Sequence, residues 1–114
     1  MSRLPKKHII WVGNSLEAIS SFSQVARSEA GHQLNLVQEG KEPTDWKPME
    51  TVGSGVREIR IHAETGYRVL YLAKFPEAIY VLHAFEKKTQ RTPKSEIDLA
   101  NRRYRALLVE RRKK

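Results

Sequence analysis

Between residues 56 and 93 the chain carries its strongest pattern: three apolar runs, each holding Arg or Lys, that empty into Phe85-Glu86-Lys87-Lys88-Thr89. In the first run Ile59 and Ile61 alternate with Glu58 and Arg60, a period of two that predicts a strand buried on one face only. The turn Glu64-Thr65-Gly66 leads into a second strand over 67–75, and Pro76-Glu77 into a third over 78–85. Both connections are too short for a parallel crossover, so the three strands form an antiparallel meander in sequence order.

Ahead of the meander, the apolar run 8–12 closes at Gly13 and predicts a first strand. Asn14 followed by Glu17 has the form of a capping box, and Leu16, Ile19, Phe22 and Ala26 share a helical face, which predicts a helix to about Arg27. A second helix is expected over 30–39, with Ala30, Leu34 and Val37 on one side and Gly40 as its stop, so the two form a helical hairpin. Residues 41–55, with Pro43, Pro48, Gly53 and Gly55, read as an ordered but irregular loop pinned by Trp46 and Met49. After the meander, Thr92 as N-cap and Pro93 at the first helical position open a last helix, whose stripe of Ile97, Ala100, Tyr104, Leu107 and Leu108 opposes a dense Arg/Lys face. The predicted class is α+β: an N-terminal helical hairpin packed on a twisted antiparallel sheet, with a basic C-terminal helix.

A chain of 114 residues with 39% hydrophobic content supports one core, and a single domain over 1–114 is expected. The absence of cysteine excludes disulfides, thiolate metal sites and a cysteine nucleophile, and suits a reducing cytoplasm. No stretch is long and apolar enough for a membrane span, and the basic Arg3, Lys6 and Lys7 have no signal-like apolar region behind them. Charge sharpens the picture more than composition does. Residues 1–86 hold ten Lys/Arg against ten Asp/Glu, whereas 87–114 hold eleven against Glu96, Asp98 and Glu110, so the whole net charge of +8 lies in the last quarter. A one-sided basic surface attracts polyanions, which makes nucleic acid or the ribosome the expected partner class.

Several chemistries drop out. His8, His32, His62 and His83 lack metal-ligand spacing, so no metal and no cofactor is expected. Gly53-Ser54-Gly55 has no Lys-Ser/Thr after it, and no serine occupies a Gly-x-Ser-x-Gly frame. The cationic sheet remains. If Ile59 and Ile61 face the core, Arg60 faces out, and with Val69 and Tyr71 inward Arg68 shares that open face. Like charges on neighbouring strands repel, so Glu58 or an external anion must offset them. Alternation leaves open which lysine joins them, since Lys87 shares parity with His83 and Phe85, and Lys88 with Tyr80, Leu82 and Ala84.

The succession Val56-Arg57-Glu58-Ile59-Arg60-Ile61, Tyr67-Arg68-Val69-Leu70-Tyr71, Val81-Leu82-His83-Ala84-Phe85-Glu86-Lys87-Lys88-Thr89 and Thr92-Pro93 resembles the phage-derived HigB-like branch of the RelE/ParE toxin superfamily. So do the upstream Leu36-Val37-Gln38-Glu39-Gly40 and Trp46-Lys47-Pro48-Met49, and the likeness spans about residues 30 to 103. It implies a RelE-like fold with a concave cationic groove. It also implies the toxin of a type II toxin and antitoxin pair, a metal-independent endoribonuclease that cuts mRNA on the ribosome, with a helix-turn-helix, HigA-like antitoxin as partner. In that reading Arg60 and Arg68 hold the scissile phosphate and Lys87 or Lys88 serves proton transfer or a second phosphate contact. Glu58 and His83 are reserve acid/base groups, although the apolar neighbours of His83 favour a core role. Thr89, Arg91, Arg102, Arg103, Arg105 and the tail from Arg111 to Lys114 are expected to bind RNA. ParE-like members of the superfamily inhibit DNA gyrase instead and tend to lack the groove cations. A non-enzymatic module binding nucleic acid or ribosome through the basic helix is the third reading.

Overall fold

The meander forms because its three strands carry β-branched and aromatic residues on both faces, and a computed structural model, which describes residues 6–113, places it at the heart of the sheet. Strands β3 (Val56–His62), β4 (Gly66–Leu72) and β5 (Ile79–Lys87) pair antiparallel, with Arg60 directly opposite Arg68 and Arg68 opposite Phe85. Two further strands complete it. The N-terminal β1 (Ile9–Trp11) adds parallel to β5, so the sheet is mixed and not purely antiparallel as expected. Residues Trp46–Pro48, expected to be irregular, form β2 and pair antiparallel with β3, giving the order β1-β5-β4-β3-β2. Pro48 is tolerated because β2 is an edge strand with one free side.

The helical hairpin is present, but its break lies earlier than the periodicity suggested. Helix α1 (Ser15–Ser20) ends before Phe22, and α2 (Gln24–Gln38) begins at Ser23, whose hydroxyl accepts from the Ala26 N–H at 3.2 Å. A real N-cap at Ser23 outweighs the continuous apolar face, and Ser28-Glu29 is then helix interior. Asn14 caps α1 without a side-chain bond to the helix, so the capping box with Glu17 does not form. Helix α2 stops at Gly40 as expected, at φ +82°, with the Gly40 and Lys41 N–H groups closing on Val37 and Leu36.

Both faces of the sheet are buried. The hairpin covers Ile59, Ile61, Val69, Tyr71, Ile79 and Val81 through Ile19, Phe22, Ala26, Ala30 and Leu34. On the other face α3 (Lys94–Arg112) and residues 49–55 cover Val56, Leu70, Leu72, Tyr80, Leu82 and Phe85. Asn101 Nδ2 donates to the Val52 carbonyl at 2.7 Å and the Tyr104 hydroxyl to that of Ser54 at 3.1 Å, fixing this layer. Pro93, not Thr92, is the N-cap of α3, and no side chain caps it. The expectation of one open sheet face therefore holds only at the end α3 leaves bare. Among the described residues no helix is long and apolar enough to cross a membrane.

Candidate functional site

At that bare end, alternation and register bring Lys47, Glu58, Arg60, Arg68 and Lys87 to one face. Lys47 of β2 lies opposite Glu58, Arg60 opposite Arg68, and Lys87 opposite Gly66, two residues along from Arg68. The choice between the two lysines is settled by a β-bulge in β5. Tyr71 pairs with Val81 while Leu70 pairs with His83, so Leu82 is the extra residue and parity inverts beyond it. Tyr80, Leu82 and Phe85 consequently share the α3 face, Ala84 faces the hairpin, and Lys87 joins Arg68. Lys88 is exposed and lies 3.9 Å from Glu86, outside the cluster.

Glu58 lies beneath these cations and is fully buried, at 0% exposure. Its Oε1 is 3.6 Å from Arg68 Nε and 3.8 Å from Lys47 Nζ, and neither carboxylate oxygen has a hydrogen bond among the described residues. Arg68, 9% exposed, donates from Nη1 to its neighbour's Tyr67 carbonyl at 3.0 Å, while its Nε is unpartnered. Arg68 is thus a largely buried residue held over a buried carboxylate, not the freely exposed side chain that alternation alone implies. Burial lowers its pKa, an effect the Glu58 charge opposes. Lys87 is partly exposed; burial and then the Arg68 charge lower its pKa below 10.5.

Arg60 is half-exposed at the rim and is held by Asp45, to which its Nε donates at 3.1 Å. The same Asp45 bonds His62 Nε2 at 2.7 Å, and that bond, with the Arg60 charge behind it, holds the Asp45 carboxyl below its ordinary range. Beside the cluster, Lys47, Lys87, Gln90, Arg91, Met49 and Ile97 help line a groove of about 500 Å³. Thr89 is exposed at its edge, its hydroxyl donating to the Arg91 carbonyl at 2.6 Å. Lys47 was missed in the sequence because β2 was; its spacing from Pro48 gave no strand signal.

Other expected site residues are placed elsewhere. His83, 6% exposed, bonds Glu96 of α3 at 2.8 Å; a carboxylate only accepts, so Nε2 carries the proton, and the ring stacks on Phe85. It belongs to the packing of α3 and not to the cluster. Arg103 is half-buried and likewise committed within the fold, donating to the Leu82 carbonyl at 2.9 Å and to Asn14 Oδ1 at 2.7 Å. Arg111 forms a two-point bond with Glu77 and lies 3.5 Å over the Phe75 ring. Arg102, Arg105, Arg112 and Lys113 are the exposed cations of this helix end, and Lys114 and Arg3 lie outside the described residues. Among the described residues no group of three or more His, Asp or Glu is arranged to hold a metal ion.

Residues 17–105, from α1 to the last third of α3, match the family described as phage derived protein Gp49-like (DUF891). No curated protein matches the chain. The match takes in every residue of the sheet-end cluster, and the chain belongs to the Gp49-like family of phage-derived proteins.

Proposed function

We propose that this protein is a toxin of the RelE/ParE type, HigB-like in its branch and paired with a helix-turn-helix antitoxin, that cleaves mRNA on the ribosome by attack of the 2'-hydroxyl on the adjacent phosphate. The observation that carries the reading is the cationic cluster over buried Glu58: Arg68, Lys47 and Lys87 converge where the sheet is uncovered. Gp49-like proteins are associated with RelE- and toxin-like families, which supports it.

The reaction needs no protein nucleophile. It needs the phosphate held with its 2'-oxygen in line, the extra negative charge of the phosphorane offset, and a proton taken from the 2'-hydroxyl. Arg68 suits the charge, since its planar fork stays protonated and donates in pairs, with Arg60 and Lys47 flanking it. Glu58 is 1% exposed at its side chain, so its part is to hold Arg68 and Lys47 in place; acting as a base would require one of them to move aside. Lys87 is the accessible group whose proton affinity is reduced, and its neutral form takes the 2'-hydroxyl proton. The 5'-oxygen leaves on the opposite side and is protonated from solvent, leaving a 2',3'-cyclic phosphate.

Incubating the purified chain with end-labelled RNA, with and without translating ribosomes, tests this directly. Fragments ending in a 2',3'-cyclic phosphate are expected, and they should be absent with Lys87→Ala. Intact RNA retained on the protein would assign the chain to a binding module. Intact RNA with inhibited DNA supercoiling would assign it to gyrase inhibition.

A further inference from the structure

On the hairpin side of the sheet, across β3 from Glu58, a second concavity of about 300 Å³ opens where the end of α2, the start of β3 and the end of β4 meet. Lys7, Lys41, Arg57 and Lys74 line it against a single carboxylate, Glu42. Glu42 is committed to Arg57 Nη1 at 2.9 Å. Lys7 spends two of its three N–H groups on the Ala73 and Phe75 carbonyls, at 3.0 and 2.8 Å, and Lys41 rests 3.3 Å from Glu39 at the surface. Lys74 contributes its stem to the wall, because its ammonium lies 5.3 Å from the Phe75 ring and 5.9 Å from the Tyr104 ring, both in the α3 layer.

The second observation is Tyr71. It lies opposite Arg57 in the sheet, is fully buried, and lines the same cavity; its hydroxyl sits beside the Arg57 side chain but makes no hydrogen bond of good geometry with any described residue. Buried hydroxyls without a partner are uncommon because the lost solvation is not recovered. Burial, partly offset by Arg57, raises the Tyr71 pKa, so the hydroxyl keeps its proton and can donate it. The carbonyl end of α2 would disfavour an anion here, but the Glu39, Gly40 and Lys41 N–H groups already occupy the Asn35, Val37 and Leu36 carbonyls.

We propose that this cavity binds a phosphate monoester of up to nucleoside-monophosphate size. The ligand is an anion because the lining offers N–H and O–H donors and its one carboxylate is already paired. It is a phosphate and not a carboxylate because the donors Lys7, Lys41, Arg57 and Tyr71 arrive from four separate segments, before β1, after α2, in β3 and in β4, and the cations outnumber the one carboxylate of the lining, which suits a tetrahedral dianion. Val37 and Ala73 give the wall an apolar portion for the esterified group. This site is independent of the RNA-cleaving reading and faces the opposite side of the sheet.

Isothermal titration of the full chain with AMP, inorganic phosphate and acetate decides it. AMP and phosphate should bind, and Tyr71→Phe and Lys41→Glu should each weaken that binding by about tenfold, on the order expected for a lost charge-assisted contact. Lys87→Ala should leave the affinity unchanged. Lys41 is exposed, so its variant remains informative if Tyr71→Phe alters folding, which the thermal midpoint reports. Loss of binding in Lys87→Ala with none in Lys41→Glu would place the anion in the sheet-end cluster and overturn the proposal. Acetate binding as tightly as phosphate, or no binding of AMP or phosphate, would overturn it as well.

Discussion

Lys87 and Arg68 divide the work at the level of single residues. If neutral Lys87 takes the proton, Lys87→Arg keeps the positive charge but removes the base, and single-turnover cleavage should fall by about 10²-fold or more while RNA affinity holds. Equal loss of affinity and rate would reduce Lys87 to a phosphate contact. The wild-type rate should rise with pH and level off below pH 10.5, because the folded pKa of Lys87 is lowered. Arg68 has a structural share too. Arg68→Met strips a buried carboxylate of its nearest cation and should cost about 2 to 4 kcal/mol in chemical denaturation, whereas Arg68→Met with Glu58→Met should recover most of that loss. Failure of the double variant to recover would show that the pair is not coupled. Alternation in the sequence placed Arg60 and Arg68 on one face correctly. It could not choose between Lys87 and Lys88, because one bulged residue, Leu82, inverts parity in the last strand and leaves no mark in composition.

The elements that frame the site are held by contacts of a kind that periodicity does not reveal. Residues 49–55 lie so close to α3 that a Cβ on Gly53 would come within 2.5 Å of the Tyr104 ring. Gly53→Ala should therefore destabilise by about 1 to 3 kcal/mol, seen as a lower thermal midpoint, and an unchanged midpoint would mean the layer yields freely. The far end of α3 is tied by Arg111 to Glu77, which also accepts from the Tyr80 hydroxyl at 2.6 Å. The Arg111 bond, then that of Tyr80, lowers the Glu77 pKa from 4.5 to about 2. A depressed carboxylate contributes its stability above its unfolded pKa, so this tie should weaken as pH falls from about 4.5 to about 2. Faster amide exchange in the last turns of α3 over that window, absent in Arg111→Gln, is the expected record. The meander, the Gly40 stop and the α3 stripe were all legible. β2 was not, since a three-residue edge strand ending in proline resembles a loop, and the parallel pairing of β1 with β5 is a long-range choice that no local pattern encodes.

For the molecule as a whole, charge and chemistry occupy different places. The sequence showed where the basic excess lies in the chain but not which of its members the fold consumes. Arg103 and Arg111 are half-buried and committed to partners within the fold, and Arg102, Arg105, Arg112 and Lys113 face solvent. Neutralising Arg102 and Arg105 should flatten the salt dependence of RNA binding by about 0.7 per lost contact on single-stranded RNA, leaving cleavage at saturating RNA intact. Arg103→Ala should instead lower stability with little change in the slope. In the proposed reaction RNA supplies its own nucleophile to a phosphate held by the sheet-end cations. The most direct test is to map one cleaved position, remake that RNA with a single 2'-deoxynucleotide on the 5' side of the scissile bond, and measure cleavage and binding together. Cleavage should vanish at that position alone while affinity is preserved; cleavage that persists there would contradict the account.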